Sequence, residues 1–120
     1  MCFPGIDVAA GLAQVGGRRP LYLRVLKLFH DNQGRNFARE FAVAQAANDW
    51  EAQMRYSRTL KGVADTVGAF DLEESAADLL LAAERKDAAR CADLLPNVIE
   101  RLEYVVNGLS TLDDVIAPQL

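Results

Sequence analysis

Arg58, Lys61 and Gly62 stand close together in the chain, and two fixed cations beside a glycine suit the recognition of an anionic partner. The stretch from about Trp50 to Ala69 reads as one helix. On a wheel that advances about 100° per residue, Tyr56, Leu60, Val63, Ala64 and Val67 fall within roughly 60° of Leu60. Those residues are the expected buried stripe. Arg58 lies about 160° from Leu60, with Arg55, Lys61, Gly62 and Asp65 flanking it on the outward face. A glycine inside a helix costs about 1 kcal/mol relative to alanine. Gly62 fills no core position, so its expected use is a bare patch beside Arg58 and Lys61 where another molecule comes close.

Other chemistry-bearing residues point to less. His30 is the single histidine. It lies at the edge of a solvent stripe with no Lys-Gly after it, and reads as a boundary residue without a catalytic role. Asp71, Glu73 and Glu74 cluster where a helix begins, and the helix dipole already accounts for acids there. Cys91 sits on an apolar helix face, which predicts a buried, inert thiol. Cys2 and Cys91 make no disulfide framework, and no His/Cys cluster has metal-ligand spacing. The chain lacks a nucleophile–base pair and a phosphate-cradling glycine loop. The expectation is a protein that is not an enzyme and holds neither metal nor cofactor.

The run Asp49-Trp50-Glu51-Ala52, then Arg58-Thr59-Leu60-Lys61-Gly62, then Val63-Ala64 and Val67-Gly68-Ala69, resembles the histidine-containing phosphotransfer (HPt) domain of bacterial phosphorelays. That family's motif is His-x-Leu-Lys-Gly, followed by a small-residue helix end. Leu60, Lys61 and Gly62 match it in place, and the pattern of helices matches across nearly the whole chain. The phosphoryl-accepting histidine would fall on position 58, where this sequence has Arg58.

The resemblance implies a module of two-component signalling. Its partner would be the receiver domain of a response regulator or hybrid sensor kinase, which brings an acidic pocket and Mg²⁺. A guanidinium stays protonated at all accessible pH and has no lone pair to accept a phosphoryl group. The implied function is therefore a pseudo-HPt that docks a receiver without relaying phosphate, through Arg55, Arg58, Lys61, Gly62 and Asp65. Two alternatives stay open. One is a structural or dimerising helical bundle with no receiver partner; the other is an ordinary HPt domain whose histidine was replaced at position 58.

The elements that must position this face follow from pattern and punctuation. A short helix, Ile6 to Val15, would be capped by Asp7 and ended by Gly16-Gly17. Pro20 suits the first turn of a helix to about Asn32, with Leu21, Tyr22, Val25, Leu28 and Phe29 as its apolar face. Gly34 is read as a break, and a further helix follows from about Asn36 to Ala47, burying Phe37, Phe41 and Ala44. Asn48 with Glu51 would cap the central helix, and Asp71 with Glu74 the next, which runs to about Lys86 on Leu72, Ala76, Leu79, Leu80 and Ala83. Asp87 would cap the last long helix, about Ala88 to Leu109, which places Cys91, Leu95, Val98, Leu102, Val105 and Leu109 on one buried face. Pro96 should kink it. A tail, 110–120, contains Pro118 and is expected to form a short helical turn or to fray.

At 120 residues with 51% apolar and 25% charged, the chain has the balance of one folded domain. A net charge of −4 without a basic tract argues against nucleic acid. No apolar run reaches the roughly 18 residues needed for a membrane span. Met1 to Ala10 shows no basic-then-apolar order, so no signal peptide and a cytoplasmic location are expected. The expected fold is all-α: an up-and-down antiparallel four-helix bundle built from the last four long helices, with the Pro20 helix as an additional covering N-terminal helix. It spans one domain, 1–120, divided into a segment 1–19, a bundle 20–109 and the tail. In the family it resembles, such a domain is often part of a larger sensor kinase.

Overall fold

A computed structural model describes residues 2–116, which form six helices and, among the described residues, no strand. They are α1 (Val8–Gln14), α2 (Arg19–Ala46), α3 (Trp50–Val67), α4 (Phe70–Glu84), α5 (Ala88–Gly108) and α6 (Leu112–Ile116). Helix α3 packs against α2 and α4, α5 packs against α4 and α2, and α1 and α6 lie against the long helices. At about 1.5 Å per residue, the 28 residues of α2 span most of the 45 Å long axis. Among the described residues, no helix is long and apolar enough to cross a membrane. Pro118 and the rest of 117–120 lie outside the described residues.

The helix expected to end before Gly34 does not end there. Helix α2 runs without interruption from Arg19 to Ala46. A Cβ added at Gly34 would lie 2.9 Å from Cγ2 of Val106 on α5, so this glycine is a point of close helix approach and not a stop. The Pro20 helix expected to cover the bundle and the helix expected over 36–47 are therefore one, and with α3, α4 and α5 it makes four long helices.

Burial along the long helices follows the expected periodicity with local shifts. Leu72, Ala76, Leu79, Leu80 and Ala83 of α4 are all buried, as are Cys91, Val98, Leu102 and Val105 of α5; Leu95 is half-buried. On α2, Leu23 and Leu26 join Tyr22 and Phe29 in the core, whereas Leu28 is exposed. On α3, Leu60, Ala64 and Val67 are buried, but Tyr56 and Val63 are only half-buried. Gln53 and Ser57 take the space instead. Ser57 can be buried because its hydroxyl donates to the Gln53 carbonyl 2.8 Å away on the same helix.

The caps differ from expectation at two turns. Asp7 and Asp87 accept from the backbone N–H of Ala10 and Arg90, as read from the sequence. The cap of α3 is Asp49, which accepts from Ala52 N at 3.0 Å, and not Asn48. Asn48 has φ 52 and supplies the left-handed turn that separates α2 from α3. Helix α4 begins at Phe70, so Asp71 already lies in its first turn and caps nothing. Pro96 sits inside α5, where it and Ala92 are both exposed. Pro96 has no N–H to donate to the Ala92 carbonyl one turn earlier.

The N-terminal segment closes one end of the molecule. Phe3 is buried, and Asp7 N–H donates to the Gly68 carbonyl at 2.8 Å. Gly68 ends α3 at φ 89, and a side chain there would collide with the Asp7 carbonyl.

Candidate docking face on the third helix

Helix α3 holds every residue of the expected face. Its registration is fixed from both ends: Asp49 caps the start, and Gly68 turns the chain at the finish. Between them Leu60, Ala64 and Val67 anchor the inner side. That leaves Arg55, Arg58 and Gly62 exposed, with Lys61 and Asp65 half-buried at the margin.

Gly62 is the most informative of these. A Cβ added to it would meet nothing within 4 Å. Gly11, Gly34 and Gly68 each admit a neighbouring element that a side chain would obstruct. Among the described residues no such neighbour exists at Gly62, so their packing gives no reason for glycine there.

The electrostatics run from positive to negative along the helix. Arg55 holds its guanidinium carbon 5.1 Å from the centre of the Tyr56 ring. Among the described residues, Arg55, Arg58 and Lys61 make no ion pair. Toward the other end, burial raises the Glu73 carboxyl above its usual range, and the protonated Glu73 donating to Asp65, with the Asp65 charge, pushes the same way. Lys61 opposes that shift. The backbone carbonyl of Asp65 is already engaged, accepting from Gln14 Nε2 at 2.7 Å.

Two features escape a reading of α3 alone. Glu73, which the sequence places only in the first turn of α4, stands beside Asp65. Secondly, α2 and α3 enclose a cleft of about 270 Å³ next to Arg55, lined also by Asn32, Gln33, Asn36, Glu40 and Thr59. The polar run around Gly34 was the available signal for this cleft, and reading Gly34 as a break hid it.

No family model, curated protein or solved structure matches this chain.

The remaining chemistry-bearing residues lie elsewhere. His30 is on α2, where its Nδ1 lies 3.1 Å from Asp31 Oδ1, and it does not line the cleft. Asp31 and Asp113 both approach Lys27, at 3.7 and 3.2 Å, which ties α6 to α2. Cys91 is buried, and that burial, with the Asp87 charge, pushes its thiol up. Among the described residues, no three His, Cys, Asp or Glu side chains are grouped as metal ligands would be.

Proposed function

We propose that this chain is a pseudo-HPt module that docks the receiver domain of a response regulator or hybrid sensor kinase in the cytoplasm and does not relay phosphate. Its long helices are read as an up-and-down antiparallel four-helix bundle. The pairwise packing of α2 on α3, α3 on α4, α4 on α5 and α5 on α2 supports that topology.

The observation that carries the docking reading is the bare surface at Gly62 beside exposed Arg58. Glycine in mid-helix costs stability, and nothing among the described residues uses the space it leaves. An approaching protein surface does. Arg55, Arg58 and Lys61 then offer unpaired positive charge to an acidic partner, on a chain whose net charge is −4. Arg58 cannot accept a phosphoryl group, so docking is the whole of the activity.

The test uses receiver domains from the same genome, with the wild-type chain and the Arg58→His and Arg58→Glu variants side by side. Wild type should bind a receiver without becoming labelled from its phosphorylated form. Arg58→His should gain label, because an imidazole nitrogen can take the phosphoryl group as the receiver's carboxylate leaves. Arg58→Glu should lose binding. Unchanged binding by Arg58→Glu would refute this use of the face. Sedimentation without receiver reads the structural alternative: a mass that rises with concentration identifies a self-associating bundle.

A further inference from the structure

We propose that the cleft between α2 and α3 receives a single carboxylate side chain from the docked partner, held by Arg55 and the side-chain amide of Asn36. The proposal rests on the docking reading above and names the partner group that the face selects.

The hydrogen-bond donors in the cleft suit a carboxylate. Arg55 holds its guanidinium carbon 5.1 Å from the centroid of the Tyr56 ring, and a guanidinium carries five N–H donors in a fork that matches a carboxylate. Among the described residues it makes no ion pair, so its guanidinium is not committed to a carboxylate of the chain itself. Asn36 Oδ1 accepts from Arg39 Nη2 at 3.0 Å. That contact commits the carbonyl end of the amide and leaves the NH₂ end to donate. Asn32 and Gln33 bring further amides from the preceding turn of α2, and Thr59 brings a hydroxyl from α3.

Size and the acid in the wall narrow the choice. At about 270 Å³ the cleft accommodates one side chain and not a folded loop. Glu40 shares the lining and opposes each negative charge added to the cleft, so one carboxylate meets less of that cost than a group of higher charge. One Asp or Glu is therefore favoured over a phosphate dianion or an acidic cluster. Phe37 and Tyr56 supply apolar wall for the methylene groups of that residue. Arg55 and Arg58 are about one helical turn apart. A surface seated on Arg58 and Gly62 therefore reaches the cleft without rearrangement.

The experiment titrates the isotopically labelled chain with N-acetylaspartate amide, with N-acetylalanine amide as control, and follows side-chain N–H signals by NMR. Saturable shifts of the Asn36 amide and Arg55 Nε are expected with the acidic probe alone. Arg55→Gln should abolish them, and Glu40→Gln should tighten binding. Against a receiver domain, Arg55→Gln should weaken affinity by about tenfold, as expected for loss of one charge-assisted hydrogen bond. Shifts spread over all exposed cations, or retained in Arg55→Gln, overturn the proposal. If receivers bind and respond to Arg58→Glu but not to Arg55→Gln, docking stands and the cleft falls. If no receiver binds, the docking reading fails and takes the partner's carboxylate with it, whatever the probe does.

Discussion

Tyr22, near the start of α2, donates its hydroxyl proton to the carbonyl of Val67 in the last turn of α3, 2.8 Å away and fully buried. That bond ties the base of the candidate docking helix to its neighbour. It also has a signature in alkaline solution. Burial, with the charge of Asp7, pushes the Tyr22 phenol up to about 12, against about 10 in an unfolded chain. Above the lower value the unfolded state releases a proton that the folded state keeps. The stability owed to neutral Tyr22 is therefore complete below about pH 10 and is lost as pH rises toward 12, by at most about 1.4 kcal/mol per pH unit. Tyr22→Phe should lose about 1 kcal/mol at neutral pH and show a shallower alkaline decline. Urea midpoints of both proteins from pH 8 to pH 12 check this; equal alkaline slopes would contradict it.

Gly62 and Gly34 should respond to alanine in opposite directions. Gly62→Ala meets open space, so it should gain about 0.5–1 kcal/mol of stability from helix propensity alone. Gly34→Ala drives a methyl group against Val106 and should cost about 1–3 kcal/mol before that gain is credited. Denaturant midpoints give both signs. The stabilised Gly62→Ala protein should also bind receiver more weakly than wild type, which a loss of fold cannot explain.

The turn into α3 assigns different work to adjacent residues. Asp49→Ala removes the side chain that holds Ala52 N–H and should cost about 1 kcal/mol. Asn48→Gly should be neutral or slightly stabilising, because glycine accepts the left-handed backbone at φ 52 without strain. Thermal melts of the two variants would differ clearly. Equal losses would restore Asn48 as the capping residue.

Cysteine labelling should be biphasic. Cys2 is exposed and should react with a disulfide reagent at the rate of a free thiol. Cys91 is 1% exposed and its thiol is pushed up, so it should react only as the chain unfolds. Two fast thiols in native buffer would show that the α4–α5 interface opens far more readily than its packing implies.

Much of this molecule is legible from local pattern. Leu72, Ala76, Leu79, Leu80 and Ala83 announce the inner face of α4 by spacing alone, and all are buried. Asp7 and Asp87 announce two helix starts, because a carboxylate satisfies N–H groups only three residues away. The outward set of Arg55, Arg58 and Gly62 follows from the same wheel that buries Leu60. What that set binds does not follow from the wheel.

The sequence by itself determined the all-helical class, the inner stripes and the exposed cations of α3, since each depends on groups within one or two turns of each other. Tertiary structure decided the rest. Whether Gly34 broke or continued its helix depended on Val106, which lies on a different helix and fills the space that a side chain would have taken. Whether Ser57 faced water or core depended on where α3 met its neighbours, because its hydroxyl is satisfied by its own backbone in either case. The cleft beside Arg55 exists only because α2 continues past Gly34 and lies along α3. Helix periodicity fixes which way a side chain points, but only packing between distant segments fixes what it meets.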